Sequence, residues 1–341
     1  MDCQRTIDAV KAGVCSRWML LAALFTVHGL LFVSPVMAQS LTLVELNCEN
    51  LFDTLDDSLK QDEEYLPDAT RHWTRKRFRR KLVNIAQELL SCRDDGIPDF
   101  IALCEVENDS VMYHLTRRSP LRNAGYQYLM TNSPDVRGID VALLYNPASL
   151  SVVAARSLRV EPVKGMRPTR DILFVSGRLI TGDTLHVFVV HAPSRYGGEA
   201  YSRPFRMAVA RRLCLTLDSL TAANPQALIV AAGDFNDETD SPALQLLAQH
   251  GLCDVTRHPQ APNHVKGTYR YQGQWSSIDH VLCSPPLAAM VDTAYIHAPA
   301  FLLDDETAYG GYKPRRTYNG MRYQPGYSDH LPLVVRLRTN K

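Results

Sequence analysis

Short apolar runs that finish on a polar residue recur along this chain. Leu41–Leu46 leads to Asn47, Phe100–Cys104 to Glu105, Leu185–Val190 to His191, and Leu228–Gly233 to Asp234. Their length and their bounding turn residues predict buried strands rather than helices. Two runs reverse the order. Asp279 opens the run to Cys283, and the Asp329-His330 pair opens the run to Leu337. If these polar groups share one site, strands run both toward it and away from it. That excludes a purely parallel sheet and predicts mixed or antiparallel sheets flanked by helices.

Further strands are expected over 138–145, 151–160 and 172–180. The 3.6-residue period predicts helices over 74–91, with Phe78, Leu82, Ile85 and Leu89 on one face, over 201–221, and near 241–250. The first helix opens with Arg75, Lys76, Arg77, Arg79, Arg80 and Lys81. Positive charge there opposes the helix dipole, so the run is either a solvated face or a contact for a polyanion. The acidic stretch from Asp53 to Asp68 reads as a solvated loop.

Composition changes the picture at the N-terminus. Arg17 precedes an apolar stretch over 18–38 that exits through Val36 and Ala38, the pattern of a signal peptide spanning 1–38. The expected product is a single domain over 39–341, exported to the periplasm or the exterior, monomeric and without a membrane span. Its basic and acidic residues are equal in number, so bulk charge favours neither nucleic acid nor membrane. Six cysteines remain. An exported chain can pair them, yet Cys48, Cys104 and Cys283 sit in apolar runs that suit buried thiols. Without a Cys-x-x-Cys pair, zinc and redox readings lack support.

The chemistry begins at Gly233-Asp234-Phe-Asn236-Asp237, where a rigid strand presents oxygen donors in quick succession. Taken alone it is either a site for a hard cation or a polar turn. Asn47, Glu105 in Cys-Glu-Val-Glu-Asn, His191 in Val-Val-His-Ala-Pro-Ser, Gly-Asp234-Phe-Asn236, Ile-Asp279-His-Val-Leu and Ser-Asp329-His330-Leu-Pro stand in an order that resembles the endonuclease/exonuclease/phosphatase superfamily. Asn50-Leu-Phe-Asp53, Ser133 to Asp140 and Gly326 to His330 further resemble exported bacterial members.

The resemblance implies a deoxyribonuclease I-like, four-layered α/β sandwich with the site at one edge of two packed sheets. It also implies hydrolysis of phosphoesters with Mg²⁺ or Mn²⁺. Glu105 would be the principal metal ligand, with Asp329 and Asn47 contributing. Asp234 would take a proton from, or orient, the attacking water, and Asn236 would fix that water or a phosphoryl oxygen. His330 would contact the scissile phosphate with its imidazole held by Asp279, and His191 would donate to a substrate oxygen. Arg137 and Arg195 are further candidates for phosphate contact, whereas Asp237 reads as a loop residue. Tyrosines and basic residues interleave over 309–327, either to hold nucleic acid or to pack a long loop. The expected activity is a phosphodiesterase or nuclease. The alternatives are a phosphatase or phosphodiesterase for small molecules or lipid head groups, and a binding module on the same fold.

Overall fold

A computed structural model describes residues 39–339, so the signal segment expected over 1–38 lies outside the described residues. In chain order the sheet strands are β1 (Gln39–Leu51), β2 (Phe100–Val106), β3 (Gln127–Met130), β4 (Asp140–Tyr145), β5 (Leu150–Leu158) and β6 (Ile172–Leu179). They continue with β7 (Thr184–His191), β8 (Leu228–Asp234), β9 (Cys253–Asp254), β10 (Asp279–Cys283), β11 (Val291–Ile296) and β12 (Leu333–Thr339). The longer helices are α1 (Arg75–Ser91), α2 (Asp109–Arg118), α3 (Glu199–Ala223) and α4 (Pro242–Gln249).

These strands form two six-stranded sheets, in the orders β11-β12-β1-β2-β4-β3 and β5-β6-β7-β8-β10-β9. Each sheet contains a parallel pair, β1 with β2 and β7 with β8. A parallel pair needs a long crossover, and α1 and α3 supply the two helical ones. The strand β10 runs antiparallel to β8, which is the reversal expected from the position of Asp279.

Strand alternation sorts the side chains into layers. Leu41, Leu43, Phe100 and Ala102 of one sheet meet Val187, Val189, Val230, Ala232 and Val281 of the other in the core between the sheets. The intervening residues face outward. Val44 and Leu46 lie under Phe78, Leu82 and Ile85 of α1, while Ile229 and Ala231 lie under Val209 and Leu213 of α3. Helix, sheet, sheet and helix make four layers.

The expected elements are present with shifted ends. Thr74 caps α1, accepting from the Arg77 N–H at 3.4 Å, so the helix begins at Arg75. β12 begins at Leu333 rather than His330, after Pro332, which has no N–H for a ladder. Helix α2 and strands β3 and β11 are additional to the sequence reading. They are short, and their apolar spacing is shared between helix and strand patterns. The six cysteines among the described residues are free thiols, and Cys48, Cys104 and Cys283 are buried.

The buried edge of α1 carries polar groups as well. Glu88 is 1% exposed and its carboxylate oxygens have no hydrogen-bond partner. Burial raises its pKa to about 8 against the pull of Lys81. A folded-state pKa above the unfolded value of 4.5 means that the stabilising contribution is complete below pH 4.5 and is lost as pH rises toward 8. Thermal unfolding is therefore expected to place Glu88→Gln several degrees above the parent at pH 8, with the gap closing at pH 4.

Candidate functional site

The inward-facing rows of the sheets run out at one rim, and polar residues take over there. Asn47 continues the row of Leu41 and Leu43, His191 that of Val187 and Val189, and Asp234 that of Val230 and Ala232. Asp279 opens the row of Val281 and Cys283. Register brings these rows level, since His191 pairs with Asp234 and Asp234 with Asp279. Gly233 makes that closeness possible. At its φ of 148° a Cβ would lie 1.8 Å from the Val190 carbonyl oxygen, so no other residue fits between the parallel strands.

Glu105 reaches the same rim by another route. Alternation after Cys104 would turn it toward the helices, but its backbone is left-handed (φ 59°) and the ladder shifts register between Cys104 and Val106. Asn236 is also left-handed, at φ 52°. Such conformations cost on the order of 1–3 kcal/mol each and concentrate at functional positions. Hydrogen bonds hold both. The Asn50 N–H donates to Glu105 Oε2 at 2.8 Å, and Asn236 Nδ2 donates to the Ala192 carbonyl at 3.0 Å.

From these positions a continuous line of titratable groups forms. Arg137 lies 3.5 Å from Glu105, Glu105 3.9 Å from His191, and His191 3.7 Å from Asp234. Asp234 lies 4.0 Å from His330, which lies 4.0 Å from Asp329. Arg316 closes the line by donating to Asp329 at 2.8 Å and pairing with Glu49 at 3.3 Å.

Asp234 sits at its centre. One carboxylate oxygen accepts from the Asn236 N–H at 2.8 Å and the other from Asn47 Nδ2 at 3.0 Å. Burial, then repulsion from Asp279, raises it to about 7, even though His330 pulls the other way. The Nδ1 of His330 lies 2.8 Å from Asp279 Oδ2, which also accepts from the Thr268 hydroxyl. Burial alone would depress His330, but Asp279 holds it well above the usual histidine range. Burial drives His191 the other way, assisted by Arg170 and Arg137, so its imidazole is neutral. Burial would raise Glu105, yet Arg137 and the Asn50 amide hold it low and ionised. Burial and Glu49 raise Asp329, opposed by Arg316.

The donor set suits a hard divalent cation. Glu105 offers an ionised carboxylate beside the Asn47 amide and the Asp329 carboxylate, which are oxygen ligands of the kind Mg²⁺ or Mn²⁺ takes. Among the described residues, Asp234, Asp279 and His330 also place ligand atoms within 4.8 Å of one another. In that trio the Asp279 and His330 atoms already bond to each other.

A family model for the endonuclease/exonuclease/phosphatase family matches residues 42–339. The chain belongs to that family. Solved structures share the family fold. A family protein from Bacteroides thetaiotaomicron is 17% identical with a TM-score of 0.57, covering 89% of this chain and 99% of that one. A mannosyl-6-phosphatase from the same organism is 18% identical at TM-score 0.58, covering 86% and 98%. Truncated TDP2 from Caenorhabditis elegans is 15% identical at TM-score 0.55, covering 88% and 98%. No curated protein sequence matches the chain.

In this endonuclease/exonuclease/phosphatase family member the rim gathers Asn47, Glu105, Arg137, His191, Asp234, Asn236, Asp279, Asp329 and His330. Arg195 stands behind them, donating to the Asn236 carbonyl at 3.0 Å and lying 3.8 Å from Glu199 and 3.9 Å from Asp237. Asp237 is buried on Arg206 at 2.8 Å, so it anchors the loop. Sequence reasoning missed Glu49 and Lys81. Glu49 accepts from the Thr317 N–H at 2.6 Å and from the buried Lys81 ammonium at 3.3 Å. An acid two residues beyond Asn47 on one strand was the available signal for Glu49. Lys81 was hidden within the basic run. Arg206→Met would remove the closer of the two cations from the buried Asp237 carboxylate and leave it only the distant Arg195. The expected loss is at least about 3 kcal/mol of unfolding free energy, measured by chemical denaturation.

Proposed function

We propose that this chain is a divalent-metal-dependent phosphodiesterase of nuclease type, exported by an N-terminal signal segment. One observation carries the reading: a buried carboxylate, Asp234, lies between a neutral histidine and a cationic one, with both of its oxygens fixed by amide donors. Glu105, Asp329 and Asn47 would hold the cation, which when bound neutralises phosphoryl oxygens and polarises the ester. Asp234 in its ionised form would accept the proton of a water, and Asn236 would keep that carboxylate aimed. Asp279 keeps His330 charged and presents Nε2 toward the rim, where it would donate to a non-bridging phosphoryl oxygen. His191, neutral, carries one N–H for the leaving oxygen. Arg137 would add a phosphate contact beside Glu105.

A second reading, a phosphatase for small phosphoesters, draws on the balanced overall charge and on the fold shared with a mannosyl-6-phosphatase. The same catalytic groups would serve it.

Residues 39–341 should hydrolyse a generic phosphodiester with Mg²⁺ or Mn²⁺ and lose that activity to a chelator. Asp234→Asn is expected to lower kcat by about 10²–10⁴-fold. Activity that survives both treatments overturns the mechanism. Plasmid DNA, RNA, a phosphomonoester and a phospholipid compared at one salt concentration separate the two readings.

A further inference from the structure

The N-terminal turns of α1 line a groove of about 680 Å³ with Lys76, Arg77, Arg79 and Arg80, closed opposite by Tyr323 and Pro325. Among the described residues none of these four cations forms an ion pair, nor does Arg75 beside them. Some arginines elsewhere are paired with acids, Arg71 with Glu64, Arg93 with Asp99, Arg170 with Asp135 and Arg316 with Asp329. Others, such as Arg156 and Arg178, are simply exposed. The α1 run differs in that its cations share one groove. In the tyrosine-rich segment Lys313 is paired with Glu306 and Arg315 with Asp304. The cations of α1 sit at the positive end of a helix, where their charge interacts unfavourably with the dipole. Arg77 is held by the Tyr323 ring and the Arg71 carbonyl, but Lys76, Arg79 and Arg80 have no such compensation from an anion among the described residues.

Helix α1 links the groove to the rim. Arg77 lies over the Tyr323 ring at 4.2 Å, and one helical turn later, a rise of about 5.4 Å, Lys81 contacts Glu49 at 3.3 Å. Lys81 also donates to the Tyr327 carbonyl, two residues before Asp329. Aromatic surface adjoins the site through His330, whose ring packs on Tyr269 at 4.8 Å. Tyr271, in the hairpin of Tyr269–Tyr271 with Gln274–Ser276, and Tyr309 and Tyr312, in the hairpin of Leu303–Asp305 with Tyr312–Pro314, are exposed. Cationic tracks beside open aromatic rings are how single strands are held, with phosphates on the charges and bases on the rings.

We propose that the α1 groove docks the phosphodiester backbone of a single nucleic-acid strand whose scissile phosphate lies at Asp234. This rests on the phosphodiesterase reading of the rim and adds the substrate's extended shape to it. A phosphomonoester would occupy the rim alone.

The test measures binding of a fluorescent oligonucleotide of about 16 nucleotides to the full chain carrying Asp234→Asn, across a salt series. Adding Arg79→Glu and Arg80→Glu is expected to weaken binding at least tenfold. It should also flatten the slope of log K against log salt by about 1.4, for two lost phosphate contacts. Arg79→Gln with Arg80→Gln, which removes charge without reversing it, should give a smaller loss in the same direction. Arg156→Glu with Arg178→Glu, two exposed arginines elsewhere with the same total charge change, should have little effect. Melting curves confirm folding in each case. Equal losses in the groove and control variants, or binding of anionic phospholipid vesicles but not of the oligonucleotide, overturns the proposal. Hydrolysis of a small phosphodiester by the parent chain is scored separately. Its absence defeats the phosphodiesterase reading, while the binding series still decides the groove.

Discussion

Crowding of carboxylates at the rim of a dry interface is the constraint on which the rest of this structure depends. Glu45, Glu49, Glu105, Asp234, Asp279 and Asp329 are drawn from five segments into one region between two sheets. Left ionised and unpaired there, they would oppose folding by more than a marginally stable chain can tolerate. Two remedies operate. Some acids are held against cations, as Glu105 is by Arg137 and Asp329 by Arg316. Others are pushed toward the protonated form, Glu45 most of all, by burial and then by Asp279 and Asp234. A bound divalent cation would be a third remedy, which ties ligand binding to the stability of the rim.

The architecture serves this arrangement. Two parallel strand pairs, each joined by a helical crossover, aim Asn47, Glu105, His191 and Asp234 at one edge. Antiparallel β10 brings Asp279 to that edge from the opposite direction. Regular alternation places Asn47, His191, Asp234 and Asp279. Glu105 needs a break in regularity, and a left-handed residue provides it. Arg206 and Asp237, fully buried behind Asn236, hold the loop on which Asp234 depends for its amide donor.

Much of this was legible in the sequence, because strand-end polarity is a local pattern. Apolar runs ending in Asn47, Glu105, His191 and Asp234 announced both the strands and the site, and Asp279 and His330 announced the mixed sheets. What stayed hidden depends on distant partners. Nothing near Glu49 reveals that Lys81, Arg316 and the Thr317 amide converge on it. Nothing near Arg195 shows that its guanidinium turns to the Asn236 carbonyl. In the tyrosine-rich segment Tyr318 is packed, as a self-packed loop requires, while Tyr309 is exposed. Periodicity reports which face a residue occupies, whereas ion pairing across hundreds of residues is set by tertiary geometry.

The seating of the last segment has a temporal consequence. Ser328 donates to the Asn47 carbonyl across 281 positions, and the His330 N–H returns to Ser328 at 3.1 Å. The crossover units β1-α1-β2 and β7-α3-β8 are comparatively local and can form early, but closing so long a loop comes late. Until it closes, Asp234 and Asp279, already level in the sheet, lack His330 beside them. The chain thus acquires its structure progressively but its reactive centre all at once, so partly folded molecules lack the assembled catalytic groups.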